Sequence, residues 1–263
     1  PTRVGLMTGI YTAALQGGGA LGSAVTPGLE EPLGGWRSAL AVWAVVAFVA
    51  FVVWVPAARR HRSAWTPVAM PRGERRSLLR NPLAWTVTLF FGCQAFMAYI
   101  VMGWLPEVFI DNGVDKMDAG LLVGLTSLIG VPVALVIAPL AARRTSQSGA
   151  IAGLGVLGVA GAIGLMVAPA AHPVLWSVLI GAGMGAFAMA LTVIALRART
   201  PTDTAQLSGM AQGLGYLIAG TGPFLFGLLH DVSHGWTVPW LMFLAVYLVR
   251  IAAGVLAGRP RFV

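Results

Sequence analysis

The stretch QGLGYLIAGTGPFLFGLLHD, Gln212–Asp231, decides the fold. It is apolar for most of its length, yet it carries Gly213, Gly215, Gly220, Gly222, Gly227 and Pro223. In water each glycine would weaken a helix by about 0.8–1 kcal/mol relative to alanine. In hydrocarbon an unpaired backbone amide costs several kcal/mol, so a helix keeps its internal bonds, and glycine lets two helices approach closely. The stretch therefore reads as a membrane helix built for tight contact.

The rest of the chain agrees. Of 263 residues, 57% are apolar and 10% charged, and the mean hydropathy is +0.82. That is too little charge to coat a water-soluble globule of this size. Eight apolar stretches are long enough to cross a bilayer, near 4–27, 36–57, 83–106, 117–142, 148–168, 173–196, 206–229 and 236–257, given about 30 Å of hydrocarbon and a rise of about 1.5 Å per residue. The strict alternation of a membrane barrel is absent. The expected fold is an all-α membrane protein of eight transmembrane helices.

Charge supplies an orientation. Alternate connections sort fourteen of the seventeen Lys and Arg onto one side: Arg3, the seven from Arg59 to Arg80, Arg143, Arg144, Arg197, Arg199, Arg259 and Arg261. Arg37 and Lys116 fall on the other side, and Arg250 falls within the last span. The positive-inside rule makes the arginine side cytoplasmic, which places the chain in the cell (inner) membrane with both its ends inside. The same rule accounts for the net charge of +8, so no nucleic-acid partner is expected; the arginines face the headgroups of membrane lipid.

Chemistry of the enzymatic kind finds no support. No Ser-His-Asp set, HExxH or carboxylate pair falls at intramembrane depth, and no Asp or Glu lies in the middle of a span. No catalytic residue, metal or cofactor is expected. His230 and His234 stand at metal-ligand spacing but read as turn residues between two spans. Cys93 is alone, so no disulfide can form.

The longest polar connection, 58–82, separates two spans from six. Sliding the chain by 200 residues places PTRVGLMTGI on PTDTAQLSGM and GGWRSALAVW on HGWTVPWLMF, with Gly35-Trp36 falling on Gly235-Trp236. The two copies share one membrane orientation, as in transporters built from parallel six-helix halves. On that plan 1–57 are the last two helices of the amino-terminal half, 58–82 the cytoplasmic inter-half loop, and 83–263 the complete carboxy-terminal half. The chain starts at Pro1, and about four further amino-terminal helices are expected ahead of it.

TGIYTAAL, GWRSALAVWA, FGCQAFMAYIVMGWLPEVF, GAGMGAFAMALTVIALRART, SGMAQGLGYLIAGTGPFLFGLLHD and AGRPRFV follow one another in an order that resembles the major facilitator superfamily, helices five to twelve. Within it the chain is similar to the cyanate and 2-nitroimidazole porter family. The resemblance implies a partial facilitator fold and a secondary transporter of a small solute, a cyanate-like anion or a small organic compound. It also implies that the third and sixth spans line a cavity, with Gln94 and Thr192 facing the pathway.

Other polar or aromatic residues within spans join that set: Tyr99, Phe187, Gln212, Tyr216 and Tyr11. Interhelical hydrogen bonding is the alternative role for the polar ones. Gly18 with Gly22, Gly181 with Gly185 and Gly209 with Gly213 stand at Gly-xxx-Gly spacing, suited to close packing or to sliding contacts; Gly120 with Gly124 and Gly149 with Gly153 share it. Gly222 and Pro223, like Pro132 and Pro139, are expected to bend or gate their helices. Arg250, about 10 Å from the inner end of its span by helical rise, is expected to snorkel to the cytoplasmic face. The expected activity is alternating-access transport of a small-molecule substrate; the alternative is a truncated membrane protein that does not transport by itself.

Overall fold

Asparagine and proline start the central helix. The Asn81 side chain accepts from the amides of Leu83 and Ala84, at 2.9 and 3.4 Å, and Pro82 occupies a first-turn position where no amide is needed. The helix then runs to Asp111 and stops before Gly113, whose φ of 88° favours glycine. The same logic starts the longest helix, where Thr200 and Asp203 exchange side chain to backbone bonds of 3.1 Å around Pro201.

The structure is a computed structural model that describes the backbone of residues 2–62 and 78–263, and the side chains of those ranges except at 2–12, 57 and 60–62. Its helices are α1 (Thr2–Glu30), α2 (Trp36–Arg62), α3 (Pro82–Asp111), α4 (Lys116–Pro132), α5 (Ala138–Ala142), α6 (Ser148–Val167), α7 (Pro173–Met184), α8 (Ala186–Leu196), α9 (Pro201–Ser233) and α10 (Thr237–Ala257). A π-turn, Val133–Ile137, joins α4 to α5. No strand occurs among the described residues. Seven helical rods among them are long and apolar enough to cross a membrane, and α1 covers the first apolar stretch as a helix. This is an all-α membrane protein.

The chain divides into two compact units, Val25–Arg76 and the remainder. In the smaller one, Gly34 and Gly35, at φ of 76° and 130°, turn the chain into α2. There the Trp43 indole donates to Thr26 Oγ1 at 3.0 Å. Val45, Phe48, Phe51, Val53 and Trp54 stand exposed along α2, as suits a surface solvated by lipid tails.

In the larger unit α3 is the core. It packs against α9, α10, α4 and α8, and buries Phe90, Phe91, Phe96, Met97, Ile100, Leu105 and Phe109. The backbones of α3 and α9 approach where Gly92 faces Gly215: a Cβ at Gly92 would lie 3.2 Å from the Gly215 Cα. The glycine pairs picked out by spacing divide. Gly181 lies against the Thr126 carbonyl and Gly124 against the Ala20 carbonyl, whereas nothing stands within 4 Å of a Cβ built at Gly18, Gly22, Gly149, Gly153, Gly209 or Gly213. Gly222 abuts the Phe96 carbonyl at 2.9 Å from such a Cβ. α9 continues through Pro223, whose carbonyl accepts the Trp104 indole at 2.9 Å.

One end of this unit is tied together. The Arg197 guanidinium donates to Gln147 Oε1, the Gln147 amide to Gly258 O at 2.9 Å, and the Val263 amide to Arg197 O at 3.0 Å. Gln147 Nε2 donates to Ala141 O and Arg144 O at 3.2 and 2.8 Å. Burial pushes the Arg197 guanidinium below its ordinary pKa.

Candidate functional site

The site begins with a break in a helix. GAGMG, Gly181–Gly185, interrupts the rod Pro173–Leu196, so that α7 ends at Met184 and α8 starts at Ala186. The Ala188 amide bonds to Gly185 O at 3.1 Å, three residues back, which leaves Met184 O outside the regular ladder. Gln94 of α3 supplies the missing donor: its Nε2 reaches Met184 O at 3.1 Å.

The other end of the Gln94 amide accepts. Arg250 Nη1, from α10, donates to Gln94 Oε1 at 2.7 Å and to Gly183 O at 3.2 Å. Both side chains are fully buried. The snorkelling expected of Arg250 is thus overturned: its guanidinium points into the bundle, 4.3 Å over the ring of Tyr247. Inside the bundle it finds two acceptors and an aromatic face, which compensate part of its desolvation. The sequence could not reveal this, because which face of α10 meets α3 is a matter of packing.

Gly183 is small for a reason. A Cβ there would strike the Tyr247 hydroxyl and lie 2.8 Å from the Gly158 Cα of α6. Gly185 is likewise confined, 2.5 Å from the Val133 Cβ at the start of the π-turn. Two irregular helices therefore meet at the break. Irregular backbone within membrane-crossing helices is tolerated where protein satisfies it, and it clusters at transport sites.

Beside the break runs a row of rings. Phe187 of α8 lies 5.7 Å from Phe91, Phe91 meets Tyr216 of α9 edge-on at 5.3 Å, and Tyr216 stacks on Tyr99 at 6.4 Å. Three of the residues chosen from sequence, Tyr99, Phe187 and Tyr216, are brought together through Phe91, which was not chosen. Its place three residues before Gln94 on α3 was the available signal. Tyr99 and Tyr216 are exposed, at 40% and 41%, so the row emerges at the surface of the unit.

The remaining residues stand apart. Thr192 returns its hydroxyl to Ala188 O at 2.8 Å, and Gln212 Nε2 donates to Ser208 Oγ at 2.6 Å, each within its own helix. The side chain of Tyr11 lies outside the described ones. No cluster of His, Cys, Asp and Glu suited to a metal occurs among the described residues.

Comparison with known proteins places this architecture. The model of the Major Facilitator Superfamily matches residues 1–200. The chain belongs to that superfamily. The chain is 35% identical over 267 residues to an uncharacterized transporter, YycB, of Bacillus subtilis (strain 168), covering 100% of the chain and 65% of the relative. It is 36% identical over 264 residues to the 2-nitroimidazole transporter of Escherichia coli (strain K12), covering 99% and 66%. With the cyanate transport protein CynX of the same strain it shares 32% identity over 244 residues, 90% of the chain and 61% of the relative. The chain thus spans a little under two thirds of the length of these relatives.

Proposed function

We propose that this facilitator is a secondary transporter that moves a small solute, a cyanate-like anion or a small organic compound, by alternating access. The observation that carries the reading is the discontinuous helix at Gly185, held by a buried glutamine from α3 and flanked by an aromatic row. Transporters of this kind place solute near the midplane, where their repeats meet. The substrate class is taken from the relatives described as carrying 2-nitroimidazole and cyanate.

In this reading 83–263 form one six-helix half, 58–82 the loop between halves, and 1–57 the last two helices of the other half. Gln94, Tyr99, Phe187, Thr192, Gln212, Tyr216 and Tyr11 line the solute pathway. The glycines at Gly18, Gly22, Gly209 and Gly213 serve surfaces along which halves slide, while Gly181, Gly185, Gly222 and Pro223 set the shape of the helices that move. No catalytic step is assigned to the chain.

Reconstitution tests the proposal. Proteoliposomes carrying the purified protein and preloaded with unlabelled solute should draw in labelled cyanate or 2-nitroimidazole faster than empty liposomes. Rates equal to those of empty liposomes for both solutes would remove transport as the function of this polypeptide.

A further inference from the structure

The guanidinium of Arg250 is only partly used. Nη1 has Gln94 Oε1 and Gly183 O, but Nε and Nη2 have no acceptor among the described residues, and neither does the hydroxyl of Tyr247. All of these atoms are buried, in side chains that are 0% exposed. Proteins satisfy nearly every buried polar group, so orphaned donors at one place require a partner.

The orphans lie along one wall. A Cβ built at Gly155 of α6 would stand 3.4 Å from Arg250 Nη2, and one at Gly158, the next turn, would strike the Tyr247 hydroxyl. Nη2 thus faces the glycine side of α6, and the phenol lies between that side and Gly183, with the guanidinium carbon 4.3 Å over the Tyr247 ring. The opposite side is closed by Gln94 and Gly183 O.

Charge narrows what the partner can be. Gln94, Cys93, the Gly183 carbonyl and Gly155, with Tyr247 and Ile251 of α10 itself, are the groups found around Arg250 among the described residues, and they include no carboxylate. Water could accept the unused protons but would leave a cation without a counter-charge inside a membrane bundle, where ions are costly. An anion does both. Full burial limits it to a small one stripped of its water.

We propose that Arg250 and Tyr247, backed by Gln94 and the glycine face of α6, form a binding site for one small monovalent anion. Arg250 Nε and Nη2 and the Tyr247 hydroxyl donate to it. The site does not depend on the transport reading: the same chemistry suits a resident halide that neutralises the bundle or a carried solute that passes through it.

The test is made on the full chain in detergent, at constant ionic strength, with sodium gluconate replaced stepwise by sodium chloride or bromide. Thermal unfolding of the wild type should shift upward and saturate with either halide. Arg250→Gln should abolish the shift. So should Gln94→Glu, which keeps the fold's shape and supplies a carboxylate to Arg250 in the anion's stead. Tyr247→Phe should raise the half-saturating concentration severalfold. Crystals grown in bromide should show an anomalous peak against Nη2. A wild type indifferent to halide, a Gln94→Glu protein that responds as the wild type does, or bromide crystals without that peak would overturn the site. Exchange of labelled chloride across proteoliposomes then assigns the source: flux marks a carried anion, and saturable binding without flux marks a resident one.

Discussion

Gln94 joins three helices with one amide. Its Oε1 receives Arg250 of α10 and its Nε2 serves Met184 O of the α7–α8 rod, so the side chain is at once a candidate for solute contact and a structural clasp. Gln212, chosen from sequence on the same grounds, bonds only to Ser208 one turn away. The two should therefore separate by stability. Gln94→Ala strands a buried carbonyl and removes an acceptor from a buried cation, a cost of about 1–3 kcal/mol; Gln212→Ala should change stability by less than about 0.5 kcal/mol. Thermal unfolding in detergent checks this, and equal midpoints for both variants would show that Gln94 carries no structural load. The residue choice itself was legible: a glutamine in the middle of an apolar span has few reasons to be there. Its partner was not, because Arg250 is distant in sequence and its span gave no hint of facing inward.

At the scale of elements, irregularity was legible in part. Pro132 and Pro139 foretold a departure from the α-helix, and it is found as the π-turn Val133–Ile137 between them. Pro223 lies within α9, which is helical on both sides of it. The break at Gly185 has no proline to announce it. Gly181 and Gly185 were taken as a pair for close packing or sliding contact, and the approach of Val133 shows why the second has no room for a side chain. Crowding then predicts opposite outcomes at two glycines. Gly185→Ala drives a methyl onto the Val133 side chain and should destabilise by about 1–3 kcal/mol; Gly213→Ala meets nothing within 4 Å and should leave the unfolding midpoint nearly unchanged. If Gly213→Ala also leaves stability intact but slows solute uptake, its open face is a moving contact, and unaltered uptake would return it to the status of lipid-facing surface.

For the whole molecule, composition alone was enough to give the class, since a chain with 10% charged residues has nothing with which to face water on all sides. A solute is not legible in the sequence, because which side chains share a face depends on how helices are rotated against one another. Orientation rests on the arginine count, which makes a direct prediction: reporters fused through flexible linkers ahead of Pro1 and behind Val263 should both be active only in their cytoplasmic forms. A periplasmic-type reporter active at either end would reverse the assignment. The linkers matter, since the last residues are fastened to the connection between α8 and α9 through Val263 and Arg197, and Gln147 and Gly258 add the entry to α6 and the exit of α10. That fastening gives several rods one footing: the ends of α5, α8 and α10 and the entry to α6 share a single hydrogen-bonded knot, so shifting any one of them there must break bonds to the others.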